Sequence, residues 1–403
     1  MSPRPAPEVL DPSFYDHLGE VPEALLAGDL YWSVELIERY AREWAIELAH
    51  ALGVPQALAG APPGSGRSTA GSLAHHLGLA PGSEVPLAWL LAELTEAGEL
   101  QEAACGISGA TVRLAGELRP AHREAFREAA LEHDPANAPF LDLLDLAGRV
   151  WPRVVTGQVR GEAVLLGPDQ LGLWLRFFSN DNPVYAVNNR LAAVAAANRL
   201  AERTRALEVG AGAGSGSAAL FEELERTGRL GRLATLRLTE PAAMLRRRAV
   251  RELERRWPGA PVEAAELDID RPWAEQGVEP GSLDLVFGVN VLHVARDLAW
   301  TLAEARRALR PGGWLVAGEC LRPRPGRPVA AEMIFLLLEG FREVRLDPEL
   351  RPGPGFLTPE LWVAQLENAG FERVELVPDV RLLREIHPRF ATGAVCGWVG
   401  EPR

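Results

Sequence analysis

The sequence contains no lysine, and all 42 of its basic residues are arginines. Without an ε-amine the chain cannot form a lysine Schiff base, attach pyridoxal phosphate covalently or build a phosphate-binding loop of the Gly-Lys-Ser/Thr type. The 42 arginines are outnumbered by 55 acidic residues, which leaves a net charge of −13. A nucleic-acid binder needs a concentrated positive surface to neutralise phosphates, so this balance disfavours that class of protein.

Cysteines and long apolar runs are also scarce. The three cysteines lie far apart and outside any Cys-x-x-Cys spacing, which argues against a disulfide framework and a structural zinc site. No apolar stretch approaches the roughly 18 residues of a membrane span, and the first residues lack the basic start and apolar run of a signal peptide. We therefore expect a cytoplasmic protein that binds neither a membrane nor a metal ion.

Two patterns divide the chain. Before residue 150 the apolar residues recur at helical spacing, and residues 71–77 and 86–97 resemble a helix-turn-helix or winged-helix unit. After residue 203, short apolar runs alternate with helical stretches, which predicts a parallel sheet covered on both faces. Two late strands, 373–377 and 394–399, permit an antiparallel last strand. The predicted domains are a helical one at 1–150, a linker and acceptor-site segment at 151–203 and an α/β domain at 204–403.

A glycine-rich loop follows the first predicted strand of the α/β domain. In LEVGAGAGSGSAAL, Gly210, Gly212 and Gly214 stand between a strand and a helix. Glycines let backbone N–H groups approach a ligand, and the helix N-terminus adds a positive dipole end. The nicotinamide fingerprint is not met, because serine stands where its third glycine belongs. An ordinary tight turn and a site for another nucleotide cofactor remain open alternatives.

Carboxylates end the next two predicted strands. Glu240 follows Gly212 by 28 residues, where a carboxylate can accept both hydroxyls of a ribose, and Asp268 ends the third strand another 28 residues on. Helix capping is the alternative role of both acids. We expect Asp270 to lie in a solvated turn outside the site.

The glycine run preceded by Glu208 resembles the first motif of class I S-adenosylmethionine-dependent methyltransferases. That resemblance implies a Rossmann-like sheet with S-adenosylmethionine as the cofactor. It further implies cofactor contacts at Glu208, Gly210, Gly212 and Gly214 under the methionine moiety, at Glu240 for the ribose, at Asp268 and Ile269 for the adenine, and at Asn290 beside them.

A histidine and a glutamate end the fourth and fifth predicted strands. His293 ends LDLVFGVNVLH and Glu319 ends WLVAGE, so adjacent parallel strands would present an imidazole beside a carboxylate. Methyl transfer requires an aligned and deprotonated nucleophile. We predict that His293 is the general base and that Glu319 orients it. The structural alternative is that His293 only caps its strand and Glu319 only bonds a backbone amide. A further alternative is a scaffold that binds the cofactor without catalysis.

Two methyltransferase families share such a pair, and the sequence resembles both. Winged-helix O-methyltransferases are matched by VLH at 291–293 and VAGEC at 316–320, which implies a homodimer that methylates a phenol or enol hydroxyl. C-methyltransferase domains of polyketide synthases are matched by NVLHVARDL at 290–298, NPVYAVNNR at 182–190 and FLTPELW at 356–362. This second resemblance is slightly favoured. It implies methylation of a carbon in a small-molecule or carrier-bound natural-product intermediate.

An apolar insertion, PVAAEMIFLLLEGFREV, separates the fifth and sixth strands. We expect its Phe335 to roof an apolar acceptor site that has Tyr185 and Asn189 as polar members, and ordinary core packing is the alternative. Trp174, Phe177 and Phe178 would complete the apolar lining. We expect His387 to lie in a surface loop.

The helix-turn-helix spacing raises a competing class, a DNA-binding regulator with a ligand-sensing domain. Its second predicted helix, PLAWLLAELTEAGEL, carries three glutamates and no cation. Such a helix would repel phosphates in a major groove, so the sequence favours an enzyme.

Overall fold

The computed structural model describes residues 10–26, 28–59, 68–106, 109–390 and 392–401. The chain divides into two compact units. The first unit is built from Asp29–Phe177 and Gly326–Glu343, and the second from Val9–Gly28, Phe178–Pro325 and Val344–Arg403. The predicted domain boundaries near residues 150 and 203 stay a prediction.

The first unit is mainly helical. Its elements before residue 178 are α1 (Gly28–Leu52), α2 (Val54–Ala59), α3 (Ala70–His76), α4 (Glu84–Glu96), β1 (Leu100–Gly106), β2 (Gly109–Leu114), α5 (Arg123–His133), α6 (Ala138–Val155), α7 (Gly161–Leu165) and α8 (Leu171–Phe177). The α3–α4 pair confirms the two predicted short helices. An antiparallel hairpin, β1–β2, follows them, although the sequence indicated no strand there.

The second unit contains a seven-stranded sheet. The elements after residue 178 are α9 (Pro183–Arg199), β3 (Thr204–Val209), α10 (Ser215–Arg226), β4 (Leu233–Thr239), α11 (Ala243–Arg256), β5 (Val262–Ala265), β6 (Leu283–Val289), α12 (Leu298–Ala308), β7 (Leu309–Cys320), α13 (Glu332–Phe335), α14 (Glu339–Arg342), α15 (Pro359–Asn368), β8 (Arg373–Val377), α16 (Val380–Ile386) and β9 (Thr392–Trp398). Of these, α13 and α14 belong to the first unit and the others to the second.

The strand order is β5-β4-β3-β6-β7-β9-β8. The first five strands in this order run parallel, and β9 is antiparallel to both neighbours, which confirms the predicted Rossmann-like sheet with an antiparallel last strand. Between β3 and β6 the order reverses. In open sheets of this type ligands bind outside the carboxyl ends of the strands at such a reversal.

The central strands are apolar nearly throughout because helices cover both faces of the sheet. Leu207, Val209 and Val286 are fully buried there. Helix α9 lies so close to β7 that a Cβ atom on Gly318 would stand 2.7 Å from the Cβ of Ala192. The small residues of α9 therefore bring its polar side chains near the carboxyl ends of β6 and β7.

The insertion after β7 belongs to the first unit. The indole Nε1–H of Trp89 donates to the carbonyl oxygen of Val329 at 3.0 Å, and the amide of Ala330 donates to Oε1 of Glu38 at 3.1 Å. Met333 and Ile334 are fully buried. These contacts fasten the insertion to α1 and α4.

Among the helices that the structure describes, none combines the length and the apolar character needed to cross a bilayer.

The second unit also buries a histidine that the sequence suggested would lie at the surface. His387 ends α16 with 6% of its area exposed, and its ring packs 5.5 Å from that of Phe14. The expectation of a surface position is wrong because the segment before α1 covers this histidine.

Candidate active site

The glycine loop leads from β3 into α10 at the point where the strand order reverses. Gly210, Gly212 and Gly214 have φ angles of +61°, +54° and +93°, a region that other residues rarely adopt. A Cβ atom on Gly210 would stand 2.3 Å from Cγ2 of Val291, whereas nothing lies within 4 Å of one on Gly212. The loop thus packs against the end of β6 and leaves open space in front of Gly212.

A buried carboxyl group lies beneath this loop. Glu208 is 1% exposed and accepts a hydrogen bond from the hydroxyl of Ser217 on α10. Burial, with a smaller contribution from the charge of Glu240, raises the pKa of Glu208 to about 7, although hydrogen bonds from Ser217 act in the opposite direction. A cationic ligand above the loop would favour the ionised form of this group.

Glu240, just after β4, ties the loop to the next helix. Its Oε2 accepts from the amide of Gly212 at 3.1 Å, and its Oε1 accepts from the amide of Ala242 at 2.9 Å. Each carboxylate oxygen has a second lone pair, so the group can still accept ribose hydroxyls. The structure thus places the capping contact and the candidate ribose contact on the same side chain.

Asp268 differs from its predicted position. Strand β5 ends at Ala265, so Asp268 lies in the following turn, exposed, with its Oδ1 accepting from the amide of Asp270 at 3.0 Å. The predicted strand end is wrong because β5 is an edge strand that pairs only with β4. Ile269 is half-buried against the apolar core beside it.

Asp270 is less solvated than the sequence suggested. It lies in the predicted turn, yet it is half-buried and its Oδ1 accepts from the amide of Arg296 at 2.9 Å. Burial raises its pKa. Asp270 thereby connects the turn after β5 with the segment after β6.

The histidine and glutamate meet as the sequence predicted. His293 lies in a 3-10 turn, Leu292–Val294, after β6, and Glu319 lies near the end of the adjacent β7. Nδ1 of His293 and Oε2 of Glu319 are 2.5 Å apart, and the amide of Leu292 donates to Oε1 at 3.0 Å. Both side chains are buried. With Nδ1–H donating to the carboxylate, Nε2 carries the basic lone pair.

Asn290 joins this pair to α9. Its backbone is left-handed, with φ +51°, and its Oδ1 accepts from the amide of Cys320 at 2.8 Å and from Nδ2 of Asn188 at 3.1 Å. Burial raises the pKa of Tyr185 above its usual value, the charges of Glu208 and Glu319 add to this, and a hydrogen bond with Asn290 opposes it. Tyr185 therefore lies beside the dyad. Asn188, one residue from the predicted Asn189, was not predicted from the sequence as a site residue.

Further amides hold the segment before α9 against the start of α10. Asn189 is fully buried and its Nδ2 donates to Oδ1 of Asn180 at 2.7 Å. Asn180 donates in turn to the carbonyl oxygen of Ser215 at 2.9 Å, and the hydroxyl of Ser215 donates to the carbonyl oxygen of Phe178 at 2.5 Å. Asn189 is thus engaged in fixing this segment, and its substrate role stays a prediction.

Phe335 lies in the other unit. Its ring centroid is 5.8 Å from that of Trp174 and 5.5 Å from that of Phe341, within the first unit. Tyr185 packs against Phe178 at 5.2 Å within the second unit. The predicted acceptor residues thus fall into two aromatic groups, and the part of Phe335 in an acceptor site stays a prediction.

Comparison with known proteins indicates the class of protein in which this geometry occurs. Residues 207–315 match a protein family described as a methyltransferase domain, a stretch that contains the glycine loop, Glu240 and His293. The chain superposes on the CurJ carbon methyltransferase with a TM-score of 0.73, at 22% identity and over 97% of each chain. Residues 207–315 therefore form a methyltransferase domain, and the chain has the fold of the CurJ carbon methyltransferase.

The chain is also similar in sequence to part of a polyketide synthase. It is 33% identical over 283 residues to the non-reducing polyketide synthase dpmpA of Macrophomina phaseolina (strain MS6), a match that covers 67% of this chain and 12% of that protein. The trans-methyltransferase CalH, solved with S-adenosylhomocysteine, superposes with a TM-score of 0.59 at 23% identity, over 91% of this chain and 90% of that one. The chain thus spans a small part of the synthase it matches.

The second unit fits S-adenosylmethionine as its cofactor. Open space in front of Gly212 would admit a ligand against the loop amides, and Glu240 retains acceptor capacity for two hydroxyls. The buried Glu208 would supply a negative charge beneath the loop once a bound cation favours its ionised form. These residues match the donor, acceptor and charge pattern of that cofactor.

Proposed function

We propose that this chain transfers a methyl group from S-adenosylmethionine to a carbon atom of a small-molecule or carrier-bound natural-product intermediate. His293 is the general base, and Glu319 orients its ring. The observation that carries the proposal is the 2.5 Å contact between Nδ1 of His293 and Oε2 of Glu319 at the carboxyl ends of adjacent strands. A scaffold that only bound the cofactor would not require this buried pair.

The residues of the second unit divide the work of the reaction. Glu208, Gly210, Gly212 and Gly214 would hold the methionine end of the cofactor, with Glu240 at the ribose. Asp268, Ile269 and Asn290 would complete the cofactor site. When bound, the cofactor supplies an electrophilic methyl group on a positively charged sulfur, so the protein has only to align and deprotonate the nucleophile.

His293 removes a proton from the acceptor carbon, which is acidic where it lies between two carbonyl groups. The proton goes to Nε2, and Glu319 stabilises the imidazolium that forms. The carbon so deprotonated would be the nucleophile for the methyl group that a bound cofactor supplies. Tyr185 lies near Glu208, Asn290 and Glu319 and is the residue we expect to contact the acceptor.

Carbon methylation of a polyketide intermediate is supported by the names of the relatives. CurJ is a carbon methyltransferase, and dpmpA is a polyketide synthase. The same dyad could deprotonate a phenol or enol hydroxyl, so the methylated atom has to be measured. Mass spectrometry of free and carrier-bound β-keto acceptors, incubated with methyl-labelled cofactor, identifies both the acceptor and the atom. A label found only on oxygen would contradict carbon transfer.

Removing the base should abolish turnover without loss of cofactor binding. We expect His293→Ala to lower kcat by about 100-fold to 10,000-fold, because general-base catalysis has that magnitude, and Glu319→Gln to have a smaller effect in the same direction. Affinity for S-adenosylhomocysteine, measured by calorimetry, should stay within about 2-fold of the unmodified protein. The matched control is His387→Ala, which removes another buried histidine of the same unit.

A fully active His293→Ala enzyme would remove the base assignment. Calorimetry with NAD tests the cofactor, and tighter binding of NAD than of S-adenosylhomocysteine would contradict the proposed site. A salt-dependent shift of DNA mobility would revive the regulator hypothesis.

A further inference from the structure

A buried arginine lies directly behind the dyad histidine. Arg351 is 1% exposed, and its Nη2 donates to the carbonyl oxygen of His293 at 2.6 Å while its Nη1 donates to that of Ala295 at 3.1 Å. Its Nε is buried without a hydrogen-bond partner, and no carboxylate of the described residues forms an ion pair with it. Burying an unpaired guanidinium is costly, which requires a reason for its presence here.

The segment that carries Arg351 is itself fastened in place. The backbones of Asp347 and Arg351 pair through two hydrogen bonds of 3.0 and 2.9 Å, and Oδ1 of Asp347 accepts from the amides of the two residues that follow Pro348. Gln365 of α15 donates to the carbonyl oxygen of Leu350 at 3.1 Å. Further along, the ring of Phe356 lies 4.9 Å from that of His293. This segment therefore presents Arg351 and Phe356 to the histidine as a rigid pair.

The charge of Arg351 acts on the dyad. Burial lowers its pKa to about 10, so the guanidinium stays charged near neutral pH. Among the carboxylates, Glu319 acts on it most strongly, followed by Asp297 and Asp270. Glu319 from β7 thus contacts the side chain of His293, and Arg351 from the segment before α15 contacts its backbone carbonyl.

We propose that Arg351 is a positioning residue for the general base, which fixes the main chain of His293 and thereby holds the imidazole in its contact with Glu319. This inference rests on the proposed role of His293. The guanidinium bonds the carbonyl oxygens of both His293 and Ala295, so the turn that carries the imidazole cannot rotate without breaking these hydrogen bonds. Because general-base catalysis requires an aligned base, loss of these bonds should affect turnover more than binding.

The test compares Arg351→Met, which removes both donors, with Arg351→Lys, which keeps one donor. We expect kcat to fall by at least about 10-fold in Arg351→Met while KM stays within about 2-fold, because the base loses its alignment and the binding contacts remain. In Arg351→Lys we expect kcat to be reduced by less than about 10-fold. Arg345→Gln is the matched control, since that exposed arginine lies on the same segment and pairs with Asp297.

Binding of S-adenosylhomocysteine and thermal unfolding verify that each variant is folded. A folded Arg351→Met enzyme with unchanged kcat would overturn the inference, and so would a kcat in Arg351→Lys that falls as far as in Arg351→Met. If the Met variant does not fold, the Lys variant decides: a kcat reduced by less than about 10-fold at unchanged KM supports the inference, and a larger loss overturns it. An active His293→Ala enzyme would instead remove the proposed function, so the two failures are distinguishable.

Discussion

At the scale of single residues, Glu208 shows what burial does to an ionisable group. Its carboxyl lies under the glycine loop, away from water, with the hydroxyl of Ser217 as a donor. Because the charged form is poorly solvated there, the pKa lies near 7, above the ordinary value of 4.5. The folded protein therefore holds this proton more tightly than the unfolded chain does.

The stability of the protein should depend on pH through this residue. A folded-state pKa that is raised contributes stability that is present below about pH 4.5 and is lost as the pH rises through about 7. The loss is at most about 3 kcal/mol, since each unit of pKa corresponds to about 1.4 kcal/mol. We expect Glu208→Gln to be relatively more stable at about pH 8 than at about pH 5, compared with the unmodified protein.

Urea unfolding at both pH values measures this difference. The matched control is Glu263→Gln, which removes an exposed carboxylate from the edge strand β5. A difference between Glu208→Gln and the unmodified protein that is the same at both pH values would contradict the raised pKa.

At the scale of elements, a comparison of two glycines distinguishes the effect of backbone strain from that of ligand binding. Gly212 in the loop and Gly228 after α10 both have positive φ, +54° and +68°, and both face open space. An alanine at either should cost about 1 to 2 kcal/mol through left-handed backbone strain. Only Gly212→Ala should also weaken S-adenosylhomocysteine, by at least about 10-fold or 1.4 kcal/mol, since its methyl group enters the cofactor space.

Thermal unfolding and calorimetry of the two variants check this prediction. If both variants lose the same stability and only Gly228→Ala retains binding, the cofactor lies against the loop. Retained binding in both variants would remove Gly212 from the site.

The elements also show how far the sequence could lead. The predicted bounds of β8, 373–377, were correct, because its apolar alternation ends at a turn. The dyad followed from strand adjacency alone. Strand β5 was predicted too long, since an edge strand can end before its apolar pattern does. In the β1–β2 hairpin only β2 alternates, with Val112 and Leu114 separated by Arg113, and this pattern is too short to predict a strand by itself.

Arg351 could not have been predicted as part of the site. It stands in a segment rich in proline and glycine, RPGPG, where an arginine is ordinarily solvated. Its contacts with His293 and Ala295 join positions almost 60 residues apart. Asn188 had a weak signal, since it lies one helical turn from Tyr185 and therefore faces the same side of α9.

At the scale of the whole molecule, the chain returns to its first unit late. The insertion Gly326–Glu343 belongs to the first unit although it interrupts the second, and its Met333 and Ile334 are fully buried. A fragment of residues 178–403 would therefore expose these side chains. We expect that fragment to aggregate, and we expect a variant in which 326–343 is replaced by a Gly/Ser segment of equal length to remain monomeric.

Size-exclusion chromatography and S-adenosylhomocysteine binding of the two fragments test this expectation. A fragment with the intact insertion that is monomeric and well behaved would contradict it. The matched control replaces 345–349 instead, an exposed stretch of the second unit, and should not rescue solubility.

The late return of the insertion also sets an order of events during synthesis. Helices α1–α8 leave the ribosome first, but α13 and α14, which complete the core of the first unit, follow about 150 residues later. At ordinary elongation rates this is a delay of roughly 10 to 30 s, during which the apolar surface around Trp89 stays exposed to solvent. A nascent chain of this protein is therefore a natural client for chaperones, until translation has passed most of the methyltransferase domain.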